Sequence, residues 1–205
     1  MKSKDSQLTI RSIEAIPVVV PLLHPIKWAR GEIKDIDNVI IIVTLSDGTE
    51  GIADAPPRPT IYGETQQSIT TIVRDHLAPK LTGLNAFDLT AVWAVFDQFA
   101  GNPAAKSAID MAIFDAQAKH LGITCAELLG GTPKALPVNR RLMLGSNKEM
   151  LAEAERMIKR YGFMAWKVKC GIDKTRDGYV RIGTPLARRG IISLLLVAGF
   201  VGATG

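Results

Sequence analysis

The sequence predicts an α+β domain followed by the opening of a parallel β/α layer. Three observations carry this. β-Branched runs and a tight-turn signal occupy the chain up to Asp54. From Gln66 to Leu121 the apolar residues recur at helical spacing, and beyond Leu136 strand, helix and strand patterns alternate. Strands first and helices after make an α+β unit, whereas alternation makes βαβ, the repeat of a parallel sheet or barrel.

Leu8 to Val20 mixes alternation with the run Ile16-Pro17-Val18-Val19-Val20 and reads as a strand. Val39 to Leu45 is a second, solidly β-branched strand. Asp47-Gly48 follows inside Ser46-Asp47-Gly48-Thr49, a tight hairpin signal, so Glu50 to Asp54 returns antiparallel. Three strands in a meander open the chain. Gln66 to His76 then spaces Ile69, Ile72 and Val73, with Leu77 beyond, as a helix does, and Pro79 closes it. A second helix from Asn85 repeats Leu89, Val92, Trp93, Phe96 and Phe99. The third, Ala104 to Leu121, is alanine-rich. Its face of Ala108, Met111, Ala112, Asp115 and Ala118 is suited to close packing, and Gly122 terminates it.

Gly130-Gly131-Thr132-Pro133 supplies a turn and puts a domain boundary between Gly131 and Leu136. Pro137 to Leu144 reads as a strand and Lys148 to Tyr161 as an amphipathic helix with Leu151, Ala154, Met157 and Ile158 inward. Met164 to Cys170 is the next strand. Asp177 to Arg189 stands where a further helix belongs, but Gly183, Pro185 and Gly190 interrupt it. Proline inside a helix costs about 3 kcal/mol and glycine about 1. The organisation is therefore 8–131, 136–180 and an apolar tail, 181–205.

Composition excludes several classes. The net charge is +5, but the basic residues are scattered. Arg140-Arg141 and Arg188-Arg189 are far apart, and no basic stripe is interleaved with aromatics, so no nucleic-acid partner is expected. Cys125 and Cys170 form no CxxC pair, which fits a reduced, cytoplasmic location. Met1 to Ser6 is polar and lacks an apolar signal core. Gly190 to Gly205 is uncharged but diluted by glycine, serine and threonine, and a spanning helix takes about 20 apolar residues, so no membrane segment is expected. His24, His76 and His120 lack ligand spacing, and Gly130-Gly131-Thr132 lacks the spacing of a phosphate loop.

The residues richest in chemistry are Lys167-Val168-Lys169. On a strand, side chains two apart share a face, so both ammonium groups are expected on one side and Val168 on the other. Two partly desolvated like charges lower each other's pKa, and a lysine tuned toward neutrality serves as a general base beside a carboxylate. Taken alone, Lys-x-Lys is equally the pattern of two surface lysines on an edge strand.

The surroundings add to this. Ala105-Lys106-Ser107-Ala108-Ile109-Asp110-Met111-Ala112-Ile113-Phe114-Asp115-Ala116-Gln117-Ala118-Lys119, with Leu121-Gly122 and Glu127-Leu128-Leu129-Gly130-Gly131, resembles the signature of the muconate cycloisomerase and mandelate racemase family of the enolase superfamily. Ile13 to Pro17, Asp47 to Gly51, Tyr62-Gly63-Glu64-Thr65 and Lys167 to Gly171 resemble the same family in the same order. The resemblance covers about residues 8 to 173, with muconate cycloisomerase the nearer likeness. It implies an α+β capping domain on a TIM-like barrel, a small-molecule carboxylate substrate and a Mg²⁺ or Mn²⁺ ion that stabilises an enediolate. It also implies frequent homo-oligomers. Lys169 would transfer the proton, while Lys167 would depress its pKa and touch the carboxylate. Two capping loops would shape the substrate pocket: Ile26 to Gly31, with Lys27, Trp28 and Arg30, and Arg58 to Tyr62, with Arg58 and Tyr62 themselves. Within the signature, Asp110 and Asp115 look structural.

The chain also departs from the family. A complete (β/α)₈ barrel takes about 250 residues, and some seventy follow Leu136, so the barrel is expected to be incomplete. The family's three metal carboxylates sit at the ends of the next three barrel strands. One repeat beyond Lys169, where Asp-x-Asn is expected, the residues are Val197-Ala198-Gly199-Phe200, and no acidic residue follows Asp177. No metal ligand is therefore assigned in this chain. A reading-frame change or rearrangement near Arg181 accounts for the tail, and a family-like frame in the downstream nucleotides is the check. The expected activity is that of a metal-dependent isomerase or cycloisomerase, inactive as this chain. The alternatives are a racemase, epimerase or dehydratase of the same superfamily, or a non-catalytic interaction domain.

Overall fold

A computed structural model of the 205-residue chain describes residues 8–28, 31–142, 146–163, 165–170 and 193–198. The expected helix over Asp177–Arg189 lies outside the described residues. The chain divides into two units: Met1–Pro21 with Asp35–Pro133, and Leu22–Lys34 with Lys134–Gly205.

The first unit is built on the sheet β1 (Ile10–Trp28), β2 (Gly31–Leu45) and β3 (Glu50–Ala55), in that order. β2 and β3 are antiparallel, in register from Val39↔Ala55 to Thr44↔Glu50. Their turn is closed by Leu45 N donating to Thr49 O at 2.8 Å, with Gly48 at φ +91°. Only two residues connect β1 to β2, and so short a connection joins antiparallel strands. Val39, Ile41, Val43 and Leu45 alternate into the core and are fully buried. Both β1 and β2 run further than the apolar pattern indicates. Glu32, Lys34, Asp35 and Asp37 bury little, so backbone pairing rather than burial extends the hairpin.

The helices follow as α1 (Gln66–Ile72), a π-turn (Val73–Leu77), α2 (Ala78–Leu81), α3 (Leu89–Phe96), α4 (Pro103–Leu121) and α5 (Cys125–Leu128). Pro79 does not end the first helical segment. A proline in a regular helix has no N–H for the carbonyl four residues back and its ring crowds that carbonyl. The turn ahead of it widens instead, with Ala78 N bonding Val73 O, and the helix resumes with proline in its first turn.

Helix α4 packs on β3 through Ala105, Ala108, Ile109, Ala112, Ile113 and Ala116, all fully buried. Of the expected face, Ala108, Ala112 and Ala118 are buried and Asp115 bonds to β3, whereas Met111 is 47% exposed. The cause is Gly51. A Cβ there would lie 1.9 Å from Ala112 O and 2.5 Å from Ala116 N, so the strand lies directly against the small residues. Asp115 and Lys119 then complete the outer edge of β3. Asp115 Oδ2 accepts from Ile52 N at 2.8 Å, and Lys119 Nζ donates to Glu50 O at 3.0 Å. Asp110 accepts from Trp93 Nε1 at 2.8 Å.

In the second unit, β4 (Asn139–Leu142), β5 (Ala165–Cys170) and β6 (Ser193–Ala198) form a parallel sheet in that order, with α6 (Asn147–Tyr161) between the first two. A parallel βαβ is what the alternation predicts. Ser146 caps α6 and shares a capping box with Glu149, and Gly162 ends it at φ +69°. The small core is Leu142, Met150, Ala154, Met157 and Trp166, with Leu151, Ile158 and Phe163 against it. The apolar tail supplies β6, an ordinary pairing outcome for the run Leu194-Leu195-Leu196-Val197. Among the described residues, no helix is long and apolar enough to cross a membrane.

Candidate active-site strand and capping loops

Strand β5 carries Lys167, Val168 and Lys169. Its register with β4 pairs Arg140↔Trp166, Arg141↔Lys167 and Leu142↔Val168. Trp166 and Leu142 are fully buried in the core beneath α6, and Arg140 lies 3.7 Å from Glu153 of α6. Strand alternation therefore puts Lys167 and Arg141 on the opposite face, where Lys167 is half-buried and Arg141 exposed. Lys169 pairs with Val197 of β6 through the parallel ladder; its side chain lies outside the described residues.

The first capping loop is the tip of the β1–β2 hairpin. Ile26 to Trp28 end β1 and Gly31 begins β2. The side chains of Lys27 and Trp28, and Arg30 entirely, lie outside the described residues. This tip groups with the second unit, within Leu22–Lys34. The second loop belongs to the first unit. Arg58 O accepts from Ile61 N and Tyr62 N at 2.9 and 2.8 Å, so Arg58 and Tyr62 are held at the two ends of one turn. Arg58 is half-buried and Tyr62 half-exposed.

The base of that turn gives Glu64 and Thr65 structural work. Glu64 is buried, and its carboxylate accepts from Ala104 N at 2.8 Å and Ala105 N at 3.2 Å. These are unpaired amides in the first turn of α4, whose own N-cap, Asn102, sits at φ +56° with no side-chain capping bond. Thr65 caps α1 with Ser68 as its reciprocal partner. Two helices are thus fixed beside Arg58 and Tyr62 by adjacent residues. The turn at Asp47 is likewise structural. Thr49 N–H, then His120, hold its carboxyl below the usual range, with His120 Nδ1 at 2.7 Å.

Mg²⁺ and Mn²⁺ are hard cations that take oxygen ligands, carboxylates above all. Among the described residues, no group of three His, Cys, Asp or Glu residues is placed to hold an ion. Beside the end of β5, the ladder sets Val197 and Ala198 against Lys169 and Cys170, and hydrocarbon side chains have no lone pair to offer. The described residues do not fit the ion.

Known proteins bear on the same elements. Residues 11–130 match the family described as mandelate racemase / muconate lactonizing enzyme, N-terminal domain. The chain belongs to this family of the enolase superfamily. Its first unit is the family's capping domain, with the antiparallel meander and the helices in place. The L-Ala-D/L-Glu epimerase of Bacillus subtilis is 31% identical over 176 residues, 85% of this chain and 48% of the relative. Muconate cycloisomerase 1 of Pseudomonas putida is 37% identical over 172 residues, 81% of this chain and 46% of the relative. The structure of a muconate lactonizing enzyme from Pseudomonas fluorescens, complexed with muconolactone, superposes with a TM-score of 0.83 at 32% identity, covering 93% of this chain and 53% of that one. The chain spans about half the length of the relatives it matches.

Sequence reasoning singled out Lys167 but passed over Arg141. The pair Arg140-Arg141 was visible, yet only the register of β4 against β5 separates a residue bound to α6 from one beside Lys167.

Proposed function

We propose that this chain carries the capping domain and the proton-transfer strand of an isomerase of the muconate cycloisomerase type, and that alone it does not turn over substrate. The supporting observation is Lys167-x-Lys169 on the second strand of a parallel sheet, in a chain 37% identical to a muconate cycloisomerase. The substrate is a small carboxylate. Lys169 removes or returns the proton on the carbon next to that carboxylate, and the electron pair left behind moves into the carboxylate as an enediolate. Lys167 faces the carboxylate and offsets part of the growing charge. Epimerases among the relatives make racemisation the second reading of the same proton transfer.

The negative half of the proposal rests on energetics. A general base contributes typically 10²–10⁴-fold, whereas enzymes reach about 10⁶-fold or more. The remainder must come from fixed charge at the enediolate, and the described residues offer no metal site to supply it. Calorimetric titration of the purified chain with Mn²⁺ is the test. Heats equal to dilution are expected; a saturable one-site isotherm would sink the reading of an inactive chain and reveal ligands in this sequence.

A further inference from the structure

We infer that Arg141 and Lys167, neighbours across β4 and β5, form a carboxylate-binding pair that holds its ligand without a metal ion. The inference rests on the carboxylate reading above and adds a residue to it. Three observations point there. The register places Arg141 directly against Lys167, and neighbouring strands lie about 4.8 Å apart. Both sit on the face opposite Trp166 and α6. Arg140 is engaged by Glu153 on the other side, while Arg141 has no hydrogen bond or ion pair among the described residues.

Like charges set directly opposite one another on a sheet are unfavourable. The positions flanking this pair offer no counter-charge: Asn139 and Ala165 precede it, and Leu195 is the partner of Lys167 on β6. An anion lying between the two cations relieves the repulsion. A guanidinium presents a planar fork that matches a carboxylate with two parallel hydrogen bonds, and the ammonium adds a compact charge. With Val197 and Ala198 where the next strand would otherwise bring carboxylates, cationic side chains take over the anchoring that an ion performs elsewhere.

The test uses the full chain, with EDTA present, and an NMR titration with benzoate; benzamide, its neutral counterpart, is the control. Benzoate should shift the β4 and β5 amides saturably and benzamide should not. Arg141→Gln should weaken benzoate at least about tenfold, Arg141→Lys should recover part of the loss because it keeps charge without the fork, and Lys80→Gln, at an exposed position of α2, should change nothing. Binding in EDTA that Arg141→Gln leaves intact overturns the pair while leaving the Lys167 reading in place. Saturation that requires added Mn²⁺ also overturns the pair and favours a metal site. Absence of binding under either condition overturns both the pair and the carboxylate reading.

Discussion

Glu64 and Gly51 do more to fix the capping domain than their sizes suggest. Removing one partner of a buried hydrogen bond strands the other at a cost of about 1–3 kcal/mol. Glu64→Ala leaves Ala104 N and Ala105 N without their acceptor, so a loss of that size is expected in urea unfolding, with far-UV helicity retained below the transition. Gly51→Ala should cost more, because the added carbon meets backbone rather than a movable side chain. Overpacking typically costs about 1–3 kcal/mol and occasionally exceeds it; the variant is expected at or beyond the upper end. Gly48→Ala, with open space around it and only an unfavourable φ, should fall below Gly51→Ala in the same assay. Asp47 gives a pH signature. Its folded pKa lies below the ordinary 3.8, through the Thr49 backbone bond first and His120 after it. A depressed carboxyl stabilises the fold above its unfolded pKa, and that contribution is lost as pH falls through the lower folded value. Asp47→Asn should therefore flatten the decline in stability below about pH 4, measured as midpoint against pH.

The elements differ in how plainly the sequence announces them. Val39 to Leu45 is legible because every second residue is an aliphatic with one place to go. The outer hairpin is not, since Glu32 to Asp37 are held by pairing that no side-chain pattern records. Pro79 looked like a stop because a widened turn cannot be anticipated from spacing. Most of the buried face of α4 is legible in its alanines, but the exposure of Met111 is not, since the close approach to Gly51 on another element is invisible in the helix's own spacing. Strand β6 lay hidden in an apolar tail whose composition fits a strand and several other fates. Local alternation is enough to put Lys167 on the face away from Trp166, whereas the position of Arg141 beside it depends on the register between two strands and is not legible in the sequence. The connection between the units offers a direct probe. Residues 131–138 are exposed and lie outside any helix or strand, so limited trypsin digestion should cut after Lys134 before Lys80 or Lys119, read by intact mass. Earlier cleavage within α2 or α4 would contradict the stability assigned to the first unit.

At the scale of the molecule, family membership rests on the capping domain, and the proposed lack of activity on the parallel sheet. The capping domain is assembled in full detail, down to the carboxylate that caps α4 and the ion pair that completes the edge of β3. The parallel sheet carries a lysine strand but, among the described residues, no group of three His, Cys, Asp or Glu residues placed to hold a hard cation. If the proposal holds, the protein folds and carries a base, but Lys167 and Arg141 alone offset too little of the dianion's charge for turnover. The most direct measurement is deuterium exchange of the α-proton, followed by NMR, for N-acylamino acids incubated with the purified chain in deuterated water and Mn²⁺. Muconate turnover is followed in parallel by absorbance. The expected result is no exchange or turnover detectable above the protein-free background; exchange that needs both Mn²⁺ and Lys169 would contradict it.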